Sequence, residues 1–171
     1  MDFSWLGLIV TALAAWLGIE VISWYLKKYC GHPLSNLVIL AVIGLVWLDA
    51  LGDILKFYSQ FGWYDQLAHL VGGITAGGIV LSIILNLKAC QKINLGLFGT
   101  GFFALVSASF IGLLYELEEY FEDYFTGSHR LGDGPDTAND LFLNIVGALL
   151  IIVIINLYIN IKRRGWLPRK D

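Results

Sequence analysis

The chain has 171 residues, of which 57% are hydrophobic and only 15% charged, with a formal net charge of -3 and a mean hydropathy of +0.71. A soluble domain carries roughly 25% charged residues, so the composition excludes a water-covered globule, and the acidic balance leaves no footprint for nucleic acid. The length allows one domain over residues 1–171 and no second one.

A bilayer core of about 30 Å is crossed by about 20 apolar residues in a helix. Open strands would leave backbone groups unsatisfied in lipid, so helix is the spanning structure expected. Five stretches are long enough. The first, 3–26, lacks a basic leader and outruns a signal-peptide core, so it reads as a permanent span. Lys27-Lys28 and Gly31-His32-Pro33 separate it from the second, 34–55. Ser59-Gln60 and Gly62 precede the third, 65–87, whose Gly72, Gly73, Gly77 and Gly78 permit close packing against a neighbour. Lys88 to Asn94 leads to the fourth, 97–117. The longest connection, 118–139, is acidic and glycine-rich and precedes the fifth, 140–161. The expected fold is all-α, a transmembrane bundle of five helices. Trp and Tyr at segment ends fit headgroup anchors.

With five spans, Lys27, Lys28, Lys88, Lys92, Lys162, Arg163, Arg164, Arg169 and Lys170 share one side, against Lys56 and Arg130 on the other. The basic side is expected to be cytoplasmic, placing the N-terminus outside and the C-terminus inside a cytoplasmic (inner) membrane. Cys30 and Cys90 fall on that basic side, where thiols stay reduced. They read as free, structural cysteines without metal-ligand spacing.

Twelve of the fourteen acidic residues fall on the opposite side. Residues three or four apart share a helix face. Asp49 and Asp53 form one such pair, Asp65 and His69 another. Glu116, Glu119 and Asp123 make a third stripe, and Asp136, Asp140 and Asn144 a fourth. Ionisable groups at membrane depth face a bundle interior or a wet cavity, so the four stripes are expected to converge. A like-charged pair at about 4 Å costs on the order of 4 kcal/mol at an effective dielectric of about 20. His69, His129, Arg130 and Lys56 are too few cations for so many acids. A divalent ion resolves the repulsion. Oxygen ligands suit Mg²⁺, Ca²⁺ or Mn²⁺, and His69 leaves Zn²⁺ or Fe open.

The expected metal ligands are Asp65, His69, Glu116, Asp136 and Asp140, with Glu119 as general base. Asp49, Asp53, Asp123, Arg130 and Asn144 are candidates for binding substrate. Structural readings stand beside these. Asp136 and Asp140 flank Thr137 in a capping arrangement, Asp65 fits a helix cap, and His69 fits a structural hydrogen bond. Asp49 and Asp53 also suit a water pocket without metal. Glu118 and Glu122 fall off the stripe and read as solvated. The segment 127–136 reads as a tight loop in which His129 and Arg130 meet an anionic group or balance nearby acids.

Three blocks resemble the VanZ-like and YjdF-like small membrane proteins. Tyr64-Asp65-Gln66-Leu67-Ala68-His69-Leu70-Val71-Gly72-Gly73 resembles their Asp–His–Gly helix. Tyr115-Glu116-Leu117-Glu118-Glu119-Tyr120, with Asp123, resembles their Glu-x-x-Glu-aromatic helix end. Asp136-Thr137-Ala138-Asn139-Asp140-Leu141 followed by Asn144-Ile145-Val146-Gly147-Ala148 resembles their last helix. The resemblance covers residues 60–150 and implies a small helical bundle in the cytoplasmic membrane. It implies matching positions for Asp65, His69, Glu116, Glu119, Asp136, Asp140 and Asn144, and no settled chemistry. VanZ-like proteins are associated with low-level glycopeptide resistance.

The functional expectation is metal-dependent hydrolysis or transfer on a lipid-linked or headgroup substrate. The alternatives are a non-enzymatic ion-binding or transport protein, or an accessory subunit with a membrane-protein partner or a second copy of itself. Membrane lipid is the expected surrounding in every case.

Overall fold

The computed structural model describes residues 5–165, with side chains placed for 7–162. Arg163, Arg164, Arg169 and Lys170 of the basic tally therefore lie outside the described side chains. Every regular element among the described residues is helical: α1 (Trp5–Cys30), α2 (Asn36–Ile54), α3 (Phe57–Gln60), α4 (Tyr64–Ala89), α5 (Leu97–Thr126) and α6 (Gly134–Gly165). All but α3 are long and apolar enough to cross a membrane. Their outward faces carry Trp16, Trp24, Leu37, Trp47, Phe98 and Phe142, all exposed. In water that surface would be prohibitive; in lipid it is the ordinary solvent-facing side.

The joints follow from local chemistry. Ser35 caps α2 by accepting from the Val38 N–H at 3.4 Å. Lys56, at φ 59°, turns the chain from α2 into the short α3, an element the sequence pattern does not announce. Gly127 ends α5 in the left-handed conformation, its N–H donating to the Asp123 carbonyl at 2.9 Å. Asp133 opens α6 by accepting from the Asp136 N–H at 3.0 Å, with Pro135 in the first turn, where a missing N–H is harmless.

Two expectations need correction. The connection expected over 118–139 is only residues 127–133, because α5 continues to Thr126 and α6 starts at Gly134. Within that stretch Glu119 and Glu122 are helical and buried in the bundle interior, as described below. Cys30 and Cys90 are not free: their sulfurs are bonded, with Cα atoms 5.2 Å apart. The ends of α1 and α4 meet at the basic end of the bundle, an encounter that a separation of 60 residues does not reveal.

α4 is the central helix, touching α1, α2, α3, α5 and α6. Toward the basic end the core is apolar, built from Val80, Leu81, Ile84, Ala104 and Ile152. At mid-height it narrows to the small residues Ala76, Ala108 and Ala148. A Cβ on Gly73 would collide with the Asn144 backbone, one on Gly147 with the Leu70 carbonyl oxygen, and one on Gly77 would meet Ala148. Small residues let α4 and α6 approach backbone to backbone, the usual solution where lipid supplies no hydrophobic drive between helices. Of the four glycines expected to serve packing on α4, Gly73 and Gly77 make the tight contacts, while Gly72 and Gly78 have ordinary clearances. The close approach brings His69 and Asn144 side by side at the acidic end.

Candidate functional site

Above the alanine layer the interior becomes polar. Asp49, Asp53, His69, Glu116, Glu119, Glu122, Arg130, Asp140 and Asn144 are all buried. They fall into two adjacent centres.

The first surrounds His69. Its Nε2 lies 3.6 Å from Asp65 Oδ1 and 3.9 Å from Asp140 Oδ1. Its Nδ1 faces Glu116 Oε1 at 3.5 Å and the Asn144 amide at 3.3 Å. Three helices supply the group: Asp65 and His69 from α4, Glu116 from α5, Asp140 and Asn144 from α6. One ligand atom each from Asp65, His69 and Asp140 lies within 4.8 Å of the other two. Separations of 3.5–3.9 Å exceed hydrogen-bond range. They suit ligands sharing one ion, because bonds of about 2.0–2.6 Å set neighbouring donors about 3–4 Å apart. Neither oxygen of Glu116, nor Asp140 Oδ1, has a hydrogen-bond partner. Buried carboxylate oxygens without donors are costly; a cation at Nε2 would satisfy Asp140 Oδ1, while Glu116 lies on the Nδ1 side of the ring.

The second centre surrounds Arg130, which the loop 127–133 turns into the bundle. Its Nη1 lies 3.5 Å from Asp53 Oδ2 and 3.5 Å from Glu122 Oε2. Its Nη2 lies 3.7 Å from Asp49 Oδ1, 3.5 Å from Glu119 Oε1 and 3.1 Å from the Tyr115 hydroxyl oxygen. Burial works against the guanidinium charge, but Tyr115 and the carboxylates of Asp49, Glu119 and Asp53 outweigh it and raise the Arg130 pKa. Arg130 therefore stays a cation. Tyr58 donates its hydroxyl to Asp49 Oδ1 at 2.8 Å. Burial, then the charge and hydrogen bond of Asp49, raise the phenol's pKa, so Tyr58 remains a neutral donor. Tyr115 links the centres: its hydroxyl reaches Asp49 Oδ1 at 3.4 Å, and its ring lies edge-on to that of His69, centroids 5.8 Å apart.

Asp123 holds the loop. Its Oδ1 accepts from the Ser128 hydroxyl at 2.6 Å and the Arg130 N–H at 2.8 Å, and its Oδ2 from the Leu131 N–H at 3.1 Å. Those bonds engage the carboxylate in loop geometry, so a substrate contact from Asp123 is not what this arrangement offers.

The expected residues thus divide. Asp65, His69, Glu116, Asp140 and Asn144 gather in one place. Asp136 stands one turn before Asp140 and lines an open cleft of about 540 Å³ with Gln66, Asp133, Pro135 and Asn139; it is not among the three clustered ligand atoms. Asp49, Asp53, Glu119 and Arg130 belong to the second centre. Glu119, expected as a base, has its Oε1 beside Arg130. Glu122, expected to be solvated, is 5% exposed and faces Arg130; Glu118 is half-buried, with Oε2 unpartnered. His129 is exposed. The sequence pattern gives Tyr58, on the unannounced α3, no signal. Tyr115 has one in helical spacing, since Tyr115, Glu119 and Glu122 share one face of a helix that continues past residue 117.

The fold and these two centres define a polytopic helical membrane protein with a buried carboxylate and histidine interior near one membrane face. The chain belongs to the family described as predicted membrane protein (DUF2238), which matches residues 3–161. No curated protein and no solved structure matches the chain.

Proposed function

We propose that this protein binds one divalent metal ion at the His69 centre. The carrying observation is the grouping of Asp65, His69 and Asp140 ligand atoms within 4.8 Å, beside buried carboxylate oxygens that lack hydrogen-bond donors. His69 Nε2 and one oxygen each from Asp65 and Asp140 are the ligands. Glu116 stands 3.5 Å from Nδ1 and would accept its N–H when Nε2 holds the ion, as carboxylates behind metal-bound histidines do. One nitrogen and two oxygens favour Zn²⁺ or Mn²⁺ over Ca²⁺, which takes six to eight oxygens.

Three protein ligands leave positions for water or substrate, as in catalytic rather than structural sites. An open cleft is lined by Gln66 and Asn139, the chain neighbours of the ligands Asp65 and Asp140. A bound ion there would polarise a phosphoryl or carbonyl oxygen and activate water, which supports hydrolysis or transfer on a lipid headgroup or lipid-linked substrate. The basic tally supports an inner-membrane orientation with N-terminus outside, and the three motif blocks support kinship with VanZ-like and YjdF-like proteins.

The test is metal content of purified full-length protein, by mass spectrometry and titration. The expected result is one ion per chain, absent from Asp65→Asn, His69→Ala and Asp140→Asn. Equal metal content in those folded variants overturns the site.

A further inference from the structure

The Arg130 centre does not balance. Asp49, Asp53, Glu119 and Glu122 all lie within 3.7 Å of one guanidinium, and all four carboxylates are buried with it. Asp49 has help from the Tyr58 and Tyr115 hydroxyls. Glu122 has none: its side chain is 3% exposed, it points at Arg130, and neither oxygen has a hydrogen-bond partner. Glu118 Oε2 is likewise unpartnered.

The place is also shaped. Gly7 of α1 lies directly over Glu122 and Arg130, and a Cβ there would collide with Glu122 Oε2. Asp53 Oδ2 and Glu122 Oε2 each lie 3.5 Å from Nη1. Four negative charges and one positive leave the pocket short of cations. A proton or an alkali ion on these oxygens would lower that excess of negative charge.

We propose that Glu122, beneath Gly7, and Asp53, beside the same nitrogen of Arg130, form a second cation site that takes one monovalent cation, an alkali ion or a proton. The site is separate from the His69 centre and stands whether or not that centre binds metal. The titratable groups around it are Asp49 and Asp53 from α2, Glu118, Glu119 and Glu122 with Tyr115 from α5, and Arg130 from the loop.

The test uses the full chain in lipid nanodiscs with divalent ions chelated. The melting temperature is followed against NaCl, with N-methyl-D-glucamine chloride holding ionic strength constant, and separately against pH from about 8 to 5.5. An alkali-ion site gives a saturable Na⁺-specific rise, about 5–10 °C at a hundredfold excess over Kd. A proton site gives no Na⁺ response but a melting temperature that climbs as pH falls, because the folded state then binds more protons than the unfolded one. Either response is lost in Glu122→Gln and Asp53→Asn and kept in Glu20→Gln, which alters an exposed carboxylate of α1 outside both centres. Variants are scored only when gel filtration and circular dichroism show the native fold. Where both charge variants fail that check, Gly7→Ala, which fills the pocket and keeps every charge, is expected to lose the response. A wild-type protein indifferent to both Na⁺ and pH overturns the proposal. So does a response that survives in the folded variants.

Discussion

Nδ1 of His69 lies 3.5 Å from Oε1 of Glu116, while Nε2 of the same ring faces Asp65 and Asp140. The imidazole therefore faces one carboxylate on its Nδ1 side and the Asp65–Asp140 pair on the other. Glu116→Gln keeps the shape but weakens the partner that fixes the ring. Such outer partners are worth about 10–100-fold in metal affinity. Calorimetric titration of Glu116→Gln is expected to show weakened binding with one-ion stoichiometry retained, whereas His69→Ala abolishes binding. Unchanged affinity in Glu116→Gln removes its positioning role.

Much of this was visible in the order of residues. The five apolar runs set the spans, and the i,i+4 spacings put Asp65 with His69 and Asp140 with Asn144. What spacing could not give was the rotation of α5. Helix periodicity also places Tyr115, Glu119 and Glu122 on one face, but the stripe read from the sequence is Glu116, Glu119 and Asp123, which leaves Glu122 off it as solvated. Arg130 is read from the sequence as meeting an anionic group or balancing nearby acids, and it does face four carboxylates. What the sequence does not show is its burial, with Asp123 holding the Arg130 and Leu131 amides.

That grip is testable. Asp123→Ala removes three hydrogen bonds to one carboxylate. Bonds to a charged group contribute about 1.5–3 kcal/mol each, and they are not additive. A loss of about 2–3 kcal/mol of stability is expected. Hydrogen exchange is expected to quicken at residues 128–131 and to remain slow in α4. Slow exchange throughout would mean that the loop is held by something else.

Arg130 has a larger effect. Removing one partner from a buried ion pair typically costs about 3–5 kcal/mol because an uncompensated charge remains. Arg130→Ala leaves four carboxylates facing one another, so a melting temperature lowered by at least about 6 °C is expected. Arg130→Lys restores the charge but not the fork that serves two carboxylates on each terminal nitrogen. Thermal melts are expected to rank wild type above lysine above alanine. An alanine variant as stable as wild type would remove Arg130 as the counter-charge of this centre.

The α4–α6 contact sets the geometry of the His69 centre. A Cβ on Gly73 collides with the Asn144 backbone. Asn144 contacts His69, and Asp140 precedes it by one turn on the same helix. Overpacking of this kind costs about 1–3 kcal/mol. Gly73→Ala is expected to melt earlier and to bind metal more weakly, because separating the helices carries Asp140 away from Nε2. Gly72→Ala, where the clearance is 3.5 Å, serves as control and is expected to change neither property.

The cysteines decide which way the bundle sits. Cys30 and Cys90 are joined in the structure and lie at the basic end. That end carries Lys27, Lys28, Lys88 and Lys92, which by the charge rule belong in the cytoplasm. Disulfides are rare in that compartment, so the bond and the charge rule point in opposite directions for the living cell. The two meet if the cysteines stay reduced in place and bond on exposure to air. Intact cells treated with a membrane-impermeant maleimide are then expected to leave both residues unmodified, while a permeant maleimide modifies both. Protein purified without a thiol block is expected to carry the Cys30–Cys90 bond in non-reducing peptide maps. If both maleimides fail on intact cells until a reductant is added, and the impermeant one then succeeds, the basic end lies outside and the acidic centres open toward the cytoplasm.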